Sequence, residues 1–580
     1  MRKTNMLLMS DYYKQSHAMM YPDGVSYLAT YFTPRMSRMP HYQDFLICFG
    51  VQGFCEDYLI ERFNETFFNR DKAEVVEEAR FILKETLNPN YDFVDKIGAL
   101  HDLGYLPIRV SALPEGTKCP VYKKEQYGEG KENPVKVPMV KVENTHPDFA
   151  WLAEWIESIM SCQLWYPMTV ANQAYYYREI ADEAYNKSCS SNVSARSAIS
   201  EFGFRGQDGS EGAIMASSAF LTSFNKTATI PAILYLRDYY GGKIESGDTG
   251  AGMISTEHSV MCSNYAVDGD EETFLIKLFK EVCPYGALSV VADSYDYWEN
   301  IKRICNGAVK EAIMNREGTV FVRGDSGDPV DIICGTQEFL VGDSFLELQD
   351  KCAEFEIYNP YDVTDYYCKV LGKNGWEYGV ITVEADGNYR ASKVSMKQYN
   401  PKLHEIGTVE ALFNGFGGKK NKKGYIVLDD HIRAIYGDSI TPNRARLIYE
   451  RLMNKGYAAN NVALGAGSFS MRCAEENGSL LPFTRDSYGI AIKATYMETK
   501  DGREYQIFKN PKTDTGMFKK SQKGLVWVGE AKDGIIYAKD GFTRKTMPDG
   551  CLLRTVFEDG KMINVETINE IRNRLHDGEF

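Results

Sequence analysis

Val290-Val291-Ala292-Asp293-Ser294-Tyr295-Asp296 and Phe321-Val322-Arg323-Gly324-Asp325-Ser326-Gly327-Asp328-Pro329 decide how the rest of this chain is read. Each is an apolar, strand-like run that stops at a carboxylate and continues in small residues that open a new element. The pattern returns at Ile432-Arg433-Ala434-Ile435-Tyr436-Gly437-Asp438-Ser439 and at Val462-Ala463-Leu464-Gly465-Ala466-Gly467-Ser468. Buried strands with functional-looking residues at their C-terminal ends mark an α/β barrel or open α/β sheet, where ligands bind at that edge. The chain therefore reads as an enzyme whose ligand is rich in hydroxyls and phosphates.

The 580 residues suffice for two or three cores, and 44% hydrophobic with 25% charged residues is ordinary for a globular chain. A net charge of −14 argues against a nucleic-acid groove, which needs clustered Lys and Arg, but leaves room for a small basic pocket. No apolar run approaches the ~20 residues that span a bilayer. The start, Met1-Arg2-Lys3-Thr4-Asn5-Met6-Leu7-Leu8-Met9-Ser10-Asp11, holds too short an apolar stretch for a signal peptide. Thirteen cysteines, with no CxxC among them, read as reduced, mostly buried thiols, so a cytoplasmic location is expected.

Residues 165–485 alternate strand and helix signals, which implies βαβ units and parallel pairing. The alternation breaks over about 338–410, where Asn359-Pro360-Tyr361-Asp362 and the β-rich Trp376-Glu377-Tyr378-Gly379-Val380-Ile381-Thr382-Val383 predict an insertion on a barrel loop. Residues 1–164, with strands contributed by 486–580, are expected to form a second, mixed α+β domain.

Asp293, Asp325 and Asp438 end three predicted strands. Such carboxylates accept ribose hydroxyls or hold Mg²⁺ against a diphosphate; one alone would favour a helix N-cap, and three at successive strand ends favour a site. Gly465-Ala466-Gly467-Ser468 offers backbone N–H groups to a phosphate, a weak signal by itself. His258, beside Glu257, suits a general base or a phosphoryl acceptor, although a lone histidine is more often structural. Arg205 and Arg323 are candidate phosphate clamps, and Phe202 and Tyr13 candidate stacking rings; salt bridges and core packing are their ordinary uses.

Together these segments resemble the nicotinamide phosphoribosyltransferases. The similarity runs from Asp11-Tyr12-Tyr13-Lys14 through Pro114-Glu115-Gly116, Trp155-Ile156-Glu157, Trp165-Tyr166-Pro167, Phe202-Gly203-Phe204-Arg205-Gly206, Glu257-His258-Ser259, Asp293-Ser294-Tyr295-Asp296 and Arg323-Gly324-Asp325-Ser326-Gly327. It continues through Gly437-Asp438, Thr484-Arg485-Asp486 and Phe508-Lys509-Asn510-Pro511, in the family order. The resemblance implies an irregular α/β barrel of the type II phosphoribosyltransferases. It implies condensation of nicotinamide with phosphoribosyl pyrophosphate in the presence of Mg²⁺, and ATP hydrolysis through a phosphohistidine. It also implies a homodimer with shared sites, acting on small molecules and on neither nucleic acid nor membrane. By position the histidine is His258, oriented by Glu257 or supported by Asp293. Phe202 and Tyr13 of the partner subunit would sandwich the pyridine. Asp325 and Asp438 would hold the ribose hydroxyls. Gly437 and the Gly465–Gly467 loop, with Arg485 of the partner subunit, would cradle the 5′-phosphate. Arg205 and Arg323 would meet pyrophosphate or carboxamide, and Arg35, Lys493, Lys509 and Lys519 match positions near ATP or pyrophosphate.

Two residues depart from the family pattern. Ala228 stands where the family has an Asp that accepts from the nicotinamide NH₂, which removes an attraction for the amide and a repulsion against nicotinate; Asp11 is placed to compensate across the interface. Ala491 replaces a Ser near the phosphates. The rival readings are a nicotinate phosphoribosyltransferase and a non-catalytic binding protein of the same fold.

Overall fold

The computed structural model describes residues 4–39, 44–90, 94–122, 134–245, 247–356, 361–373, 375–476, 479–514 and 519–580. The expected turn at Asn359–Pro360 and part of the basic stretch 509–523 lie outside them.

The four apolar runs quoted above are strands, and they are neighbours. Six strands, β1 (Ile199–Glu201), β2 (Ile254–Ser255), β3 (Leu288–Val291), β4 (Val320–Gly324), β5 (Ile432–Tyr436) and β6 (Val462–Ala466), form one sheet in the order β1-β6-β5-β4-β3-β2. Every pairing is parallel. Val290, Val291, Val320, Val322, Ile432, Ala434 and Leu464 are all buried. Such short β-branched and apolar runs, with helices between them, suit a parallel sheet covered on its faces. The sheet curls: Glu201 bridges in parallel to Thr227, and Lys226 bridges to Ala251, just before β2. These bridges draw the two edges towards each other, so the ring is an irregular α/β barrel.

The second domain is a seven-stranded antiparallel sheet in which both ends of the chain interleave. Val25–Thr33 lies between Ala491–Thr499 and Val140–Asn144, and Ile108–Ala112 lies between Val140–Asn144 and Arg554–Glu558. Helices, among them Lys72–Thr86 and Val94–Leu103, complete the α+β character.

The expected boundary at 164/165 falls inside the helix Glu157–Ser188. Its first turns, through Met168, pack with the antiparallel domain, and Val170 to Tyr185 pack with the barrel. No turn signal marks the crossing because the helix simply changes partner. The C-terminal helix Ile568–Leu575 also departs from its assigned domain: Ile568, Ile571 and Leu575 belong to the barrel core. At the junction Glu115 accepts from the backbone N–H groups of Gly50 (3.0 Å) and Gln52 (2.7 Å) and from Tyr240 Oη (3.3 Å), and burial pushes its carboxyl up to about 7.

The insertion is a four-stranded sheet, Leu340–Gly342, Val363–Gly372, Gly375–Ala385 and Ala391–Gln398, with the helix Phe345–Ala353 on one side. It has its own small core of Leu348, Cys352, Cys368, Ile381 and Val383. It ends earlier than 410, because Thr408–Phe416 is a barrel helix whose Val409 and Leu412 lie in the barrel core.

Candidate active site

At the C-terminal ends of β3, β4 and β5 each strand is followed by a carboxylate and then by a helix. In each connection a different residue caps the helix. Asp296 accepts from Glu299 N (3.0 Å) at the start of Tyr297–Ile304. Asp328 accepts from Val330 N (2.9 Å) and Asp331 N (3.2 Å) at the start of Pro329–Cys334. Thr441 accepts from Arg444 N (3.3 Å) at the start of Pro442–Asn454. Capping is the ordinary use of an Asp after a strand. Here it is already served, and Asp293, Asp325 and Asp438 are left to converge on the barrel mouth.

Asp293 is the buried anchor. Its side chain is 4% exposed, and Oδ2 accepts from Asp325 N (3.0 Å) and Ser326 Oγ (2.6 Å). Its Oδ1 is buried and accepts no hydrogen bond. His258 opens the helix His258–Asp268 directly after β2. Its Nδ1 lies 3.2 Å from Ser294 Oγ, and its Nε2 lies 4.0 Å from Asp293 Oδ1 and 3.9 Å from Asp325 Oδ2. Of the two expected supports for His258, the geometry places Asp293 beside the ring. The Glu257 carboxylate accepts instead from Ser259 Oγ.

Arg323 reaches Asp325 Oδ2 (3.7 Å) and donates to Ser255 Oγ (3.2 Å). Burial raises the Asp325 carboxyl above the usual range; the Arg323 guanidinium opposes the shift, Asp293 adds to it, His258 opposes it and Asp438 adds to it. Asp438 is exposed and accepts from Ser439 Oγ (2.9 Å), with Ser439 in the left-handed region at φ 54°. A non-glycine residue there stores backbone strain, which clusters at binding sites.

Phe202 lies across the ends of β5 and β6. A Cβ on Gly465 would come within 2.5 Å of its ring, and one on Gly437 within 3.0 Å of Asp325 Oδ1 and 3.6 Å of the ring. Gly465 is a strand residue at which the absence of a Cβ makes room for the Phe202 ring. Gly467, with nothing within 4 Å of a Cβ, is the open position before the short helix Ser468–Arg472. Arg205 is exposed on the turn Phe204–Gly206, and Ala228 is exposed with its N–H on Glu201 O (2.8 Å).

The remaining expected residues lie on the antiparallel domain. Asp11 accepts from Tyr13 Oη (3.0 Å) and Ser158 Oγ (2.5 Å). Lys493 contacts Glu157 (3.2 Å). Arg35 donates to Gly489 O (2.7 Å), and its guanidinium is shifted downward by burial and then by neighbouring Arg485. Lys509 and Lys519 are exposed, and they hold the loop through backbone N–H bonds to Ser521 Oγ (2.9 Å) and Asp514 Oδ2 (2.5 Å). Among the described residues, no hydrogen bond or ion pair joins this group to the barrel-mouth group.

Sequence reasoning does not single out Ser294 or Glu201. Glu201 is fully buried at the end of β1, accepts from Thr227 Oγ1 (2.7 Å) and from Gly203 N, and so fixes the turn bearing Phe202 and Arg205. A signal for it is available: it is a fourth carboxylate ending a strand.

The fold and site define an α/β-barrel enzyme with carboxylates, a guanidinium and an aromatic face at its strand ends, a set suited to a sugar phosphate and a planar ring. The nicotinate phosphoribosyltransferase (NAPRTase) family matches residues 197–561, and the N-terminal domain of nicotinamide phosphoribosyltransferase matches residues 5–109. The nicotinamide phosphoribosyltransferase of Acinetobacter baylyi is 33% identical over 585 residues, covering 99% of this chain and 97% of its own. That of Xanthomonas campestris pv. campestris is 26% identical over 581 residues, covering 98% and 97%. NadC from Streptococcus pyogenes superimposes with a TM-score of 0.31 at 6% identity, over 85% of this chain and 95% of that one. The chain belongs to the nicotinate phosphoribosyltransferase family and carries the N-terminal domain of its nicotinamide-named relatives.

Proposed function

We propose that the protein condenses nicotinamide with 5-phosphoribosyl 1-pyrophosphate to give nicotinamide mononucleotide and pyrophosphate, a step of NAD salvage. The observation that carries this reading is the release of Asp293, Asp325 and Asp438 from capping, which leaves three carboxylates at adjacent strand ends beside Arg323 and the Phe202 ring. The pyridine nitrogen attacks C1 of the ribose with its own lone pair, and the C1–O bond to pyrophosphate breaks. The nucleophile carries no proton, so no strong base is required, and the demands are alignment and stabilisation of charge. Phe202 supplies a stacking face, Asp325 and Asp438 accept the ribose hydroxyls, and Arg323 with exposed Arg205 meets the leaving anion or the carboxamide.

Mg²⁺ is commonly held by one or two carboxylates together with substrate phosphates. Asp293 Oδ1, which accepts no hydrogen bond, and the adjacent Asp325 fit that mode. Bound there, the ion would neutralise charge on the pyrophosphate.

A homodimer with shared sites accounts for the two separate groups of residues. Tyr13, Arg485 and the lysines lie on one domain, and the barrel mouth exposes Phe204, Ile230, Ile254 and Tyr295 on the other. Thirteen free cysteines suit the cytoplasm, and no helix among the described residues is long and apolar enough to cross a membrane.

ATP coupling is assigned to His258, whose ring lies between Ser294 and the two carboxylates. In the His258→Ala protein, ATP is expected to cease raising the yield of mononucleotide while an ATP-independent rate persists. Full ATP-coupled yield from that variant would remove His258 from the mechanism.

A further inference from the structure

The loop carrying Asp325 is walled by two side chains. A Cβ on Gly324 would meet Tyr297 at 3.4 Å and Ile332 at 3.3 Å, and one on Gly327 would meet Ile332 at 3.3 Å. Both walls are tied to one residue of the following barrel helix: the fully buried Thr408 donates to Ile332 O (2.7 Å) and lies 2.8 Å from Tyr297 Oη. Two residues on, Glu410 is 1% exposed and holds three partners, Lys369 Nζ (2.5 Å), Lys455 Nζ (3.5 Å) and Tyr378 Oη (2.9 Å). Lys369 and Tyr378 belong to the inserted sheet. The Lys369 ammonium is fully buried, 4.2 Å from the Trp376 ring, and Trp376 Nε1 donates to Tyr457 Oη (2.7 Å) on the barrel.

A buried ion pair is weak as a source of stability, but where it serves a purpose it fixes one arrangement among several. The insertion has a small core of its own, and Lys369 lies outside it, on the face turned to the barrel helix. We infer that the inserted sheet braces the Asp325 loop, with Lys369 a positioning residue that acts through Glu410, Thr408 and the Tyr297–Ile332 walls. The kinetic consequence rests on the assignment of Asp325 to the ribose; the brace itself does not.

Two variants test the chain of contacts at different points in the full-length protein. Glu410→Gln removes the charge that pairs with Lys369, while the Asn414 contacts of the sheet remain, and Thr408→Val cuts only the link to the walls. Each is expected to raise KM for phosphoribosyl pyrophosphate about tenfold or more, since small displacements of a binding group are costly, while KM for nicotinamide stays near its original value. Protection of the Asp325 amide, which donates to Asp293, should fall in both. The double variant should be little worse than either single one, because both interrupt one path. Should Glu410→Gln fail to fold, Thr408→Val decides alone. Unchanged KM together with unchanged protection of the Asp325 amide in a folded variant would overturn the brace. If the unmodified protein makes no mononucleotide, the ribose assignment fails, and the exchange measurement still judges the brace.

Discussion

Asp325→Asn is expected to lower kcat/KM for phosphoribosyl pyrophosphate by about 10²–10³, the loss typical of removing one preorganised electrostatic contact. The residue sits where three other site groups meet: its backbone N–H is held by Asp293, its carboxylate faces Arg323 and His258, and Gly437 leaves it room. Asn keeps the shape and one acceptor but loses the charge. The same carboxyl is raised by burial, which means that the folded protein disfavours its ionised form. The sign follows: stability from this group is lost as pH rises through the shifted pKa, so at neutral pH the Asn variant should melt no lower than the original, and in acid the two should converge. Catalysis runs the other way. Activity needs the carboxylate, so the acid limb of kcat/KM should lie above the range of an ordinary Asp. A variant that loses activity and melting temperature together would make Asp325 a structural residue.

Arg572→Met should destabilise the barrel by about 1–3 kcal/mol, the cost of leaving buried acceptors without a donor. Arg572 is fully buried on the C-terminal helix, with its guanidinium 4.4 Å from the Phe580 ring. It donates to Leu221 O (2.8 and 2.6 Å), Phe224 O (3.2 Å), Asp248 O (2.7 Å) and Thr249 O (2.9 Å). Met has comparable length but no donor, so these carbonyls would lose their partner in the interior. Urea unfolding followed through barrel and antiparallel-domain probes separately should show the barrel transition moving first. Coincident transitions at the original midpoint would show that the C-terminal helix is dispensable to the barrel.

The barrel is legible in the sequence because a buried strand that ends at a ligand is what most often produces an apolar run stopping at a charge. β3, β4, β5 and β6 all appear where the sequence implies them and pair side by side. A clearer discriminator lies beside them. Asp328-Pro329 and Thr441-Pro442 are cap-plus-Pro signatures of a helix start, and they show from sequence that Asp325 and Asp438 are not needed as caps. The packing of the Phe202 ring on Gly465 is not legible, because a glycine near a strand end looks the same whether it opens space for a phosphate or for a ring remote in sequence. Position 164/165 carries no break in the chain, because one continuous helix, Glu157–Ser188, runs across it and serves both cores. The Lys369–Glu410 pair, 41 residues apart and joined only by the packing of sheet on helix, leaves no periodic or local trace in the sequence.

The most direct test is to incubate the purified protein with phosphoribosyl pyrophosphate, Mg²⁺ and either nicotinamide or nicotinate, with and without ATP, and to separate the mononucleotides. The expected result is nicotinamide mononucleotide, in greater yield with ATP. Nicotinate mononucleotide in its place would contradict the assigned substrate and make exposed Ala228 the residue to exchange for Asp. No mononucleotide from either base would contradict the assignment of the barrel mouth as a phosphoribosyl-transfer site.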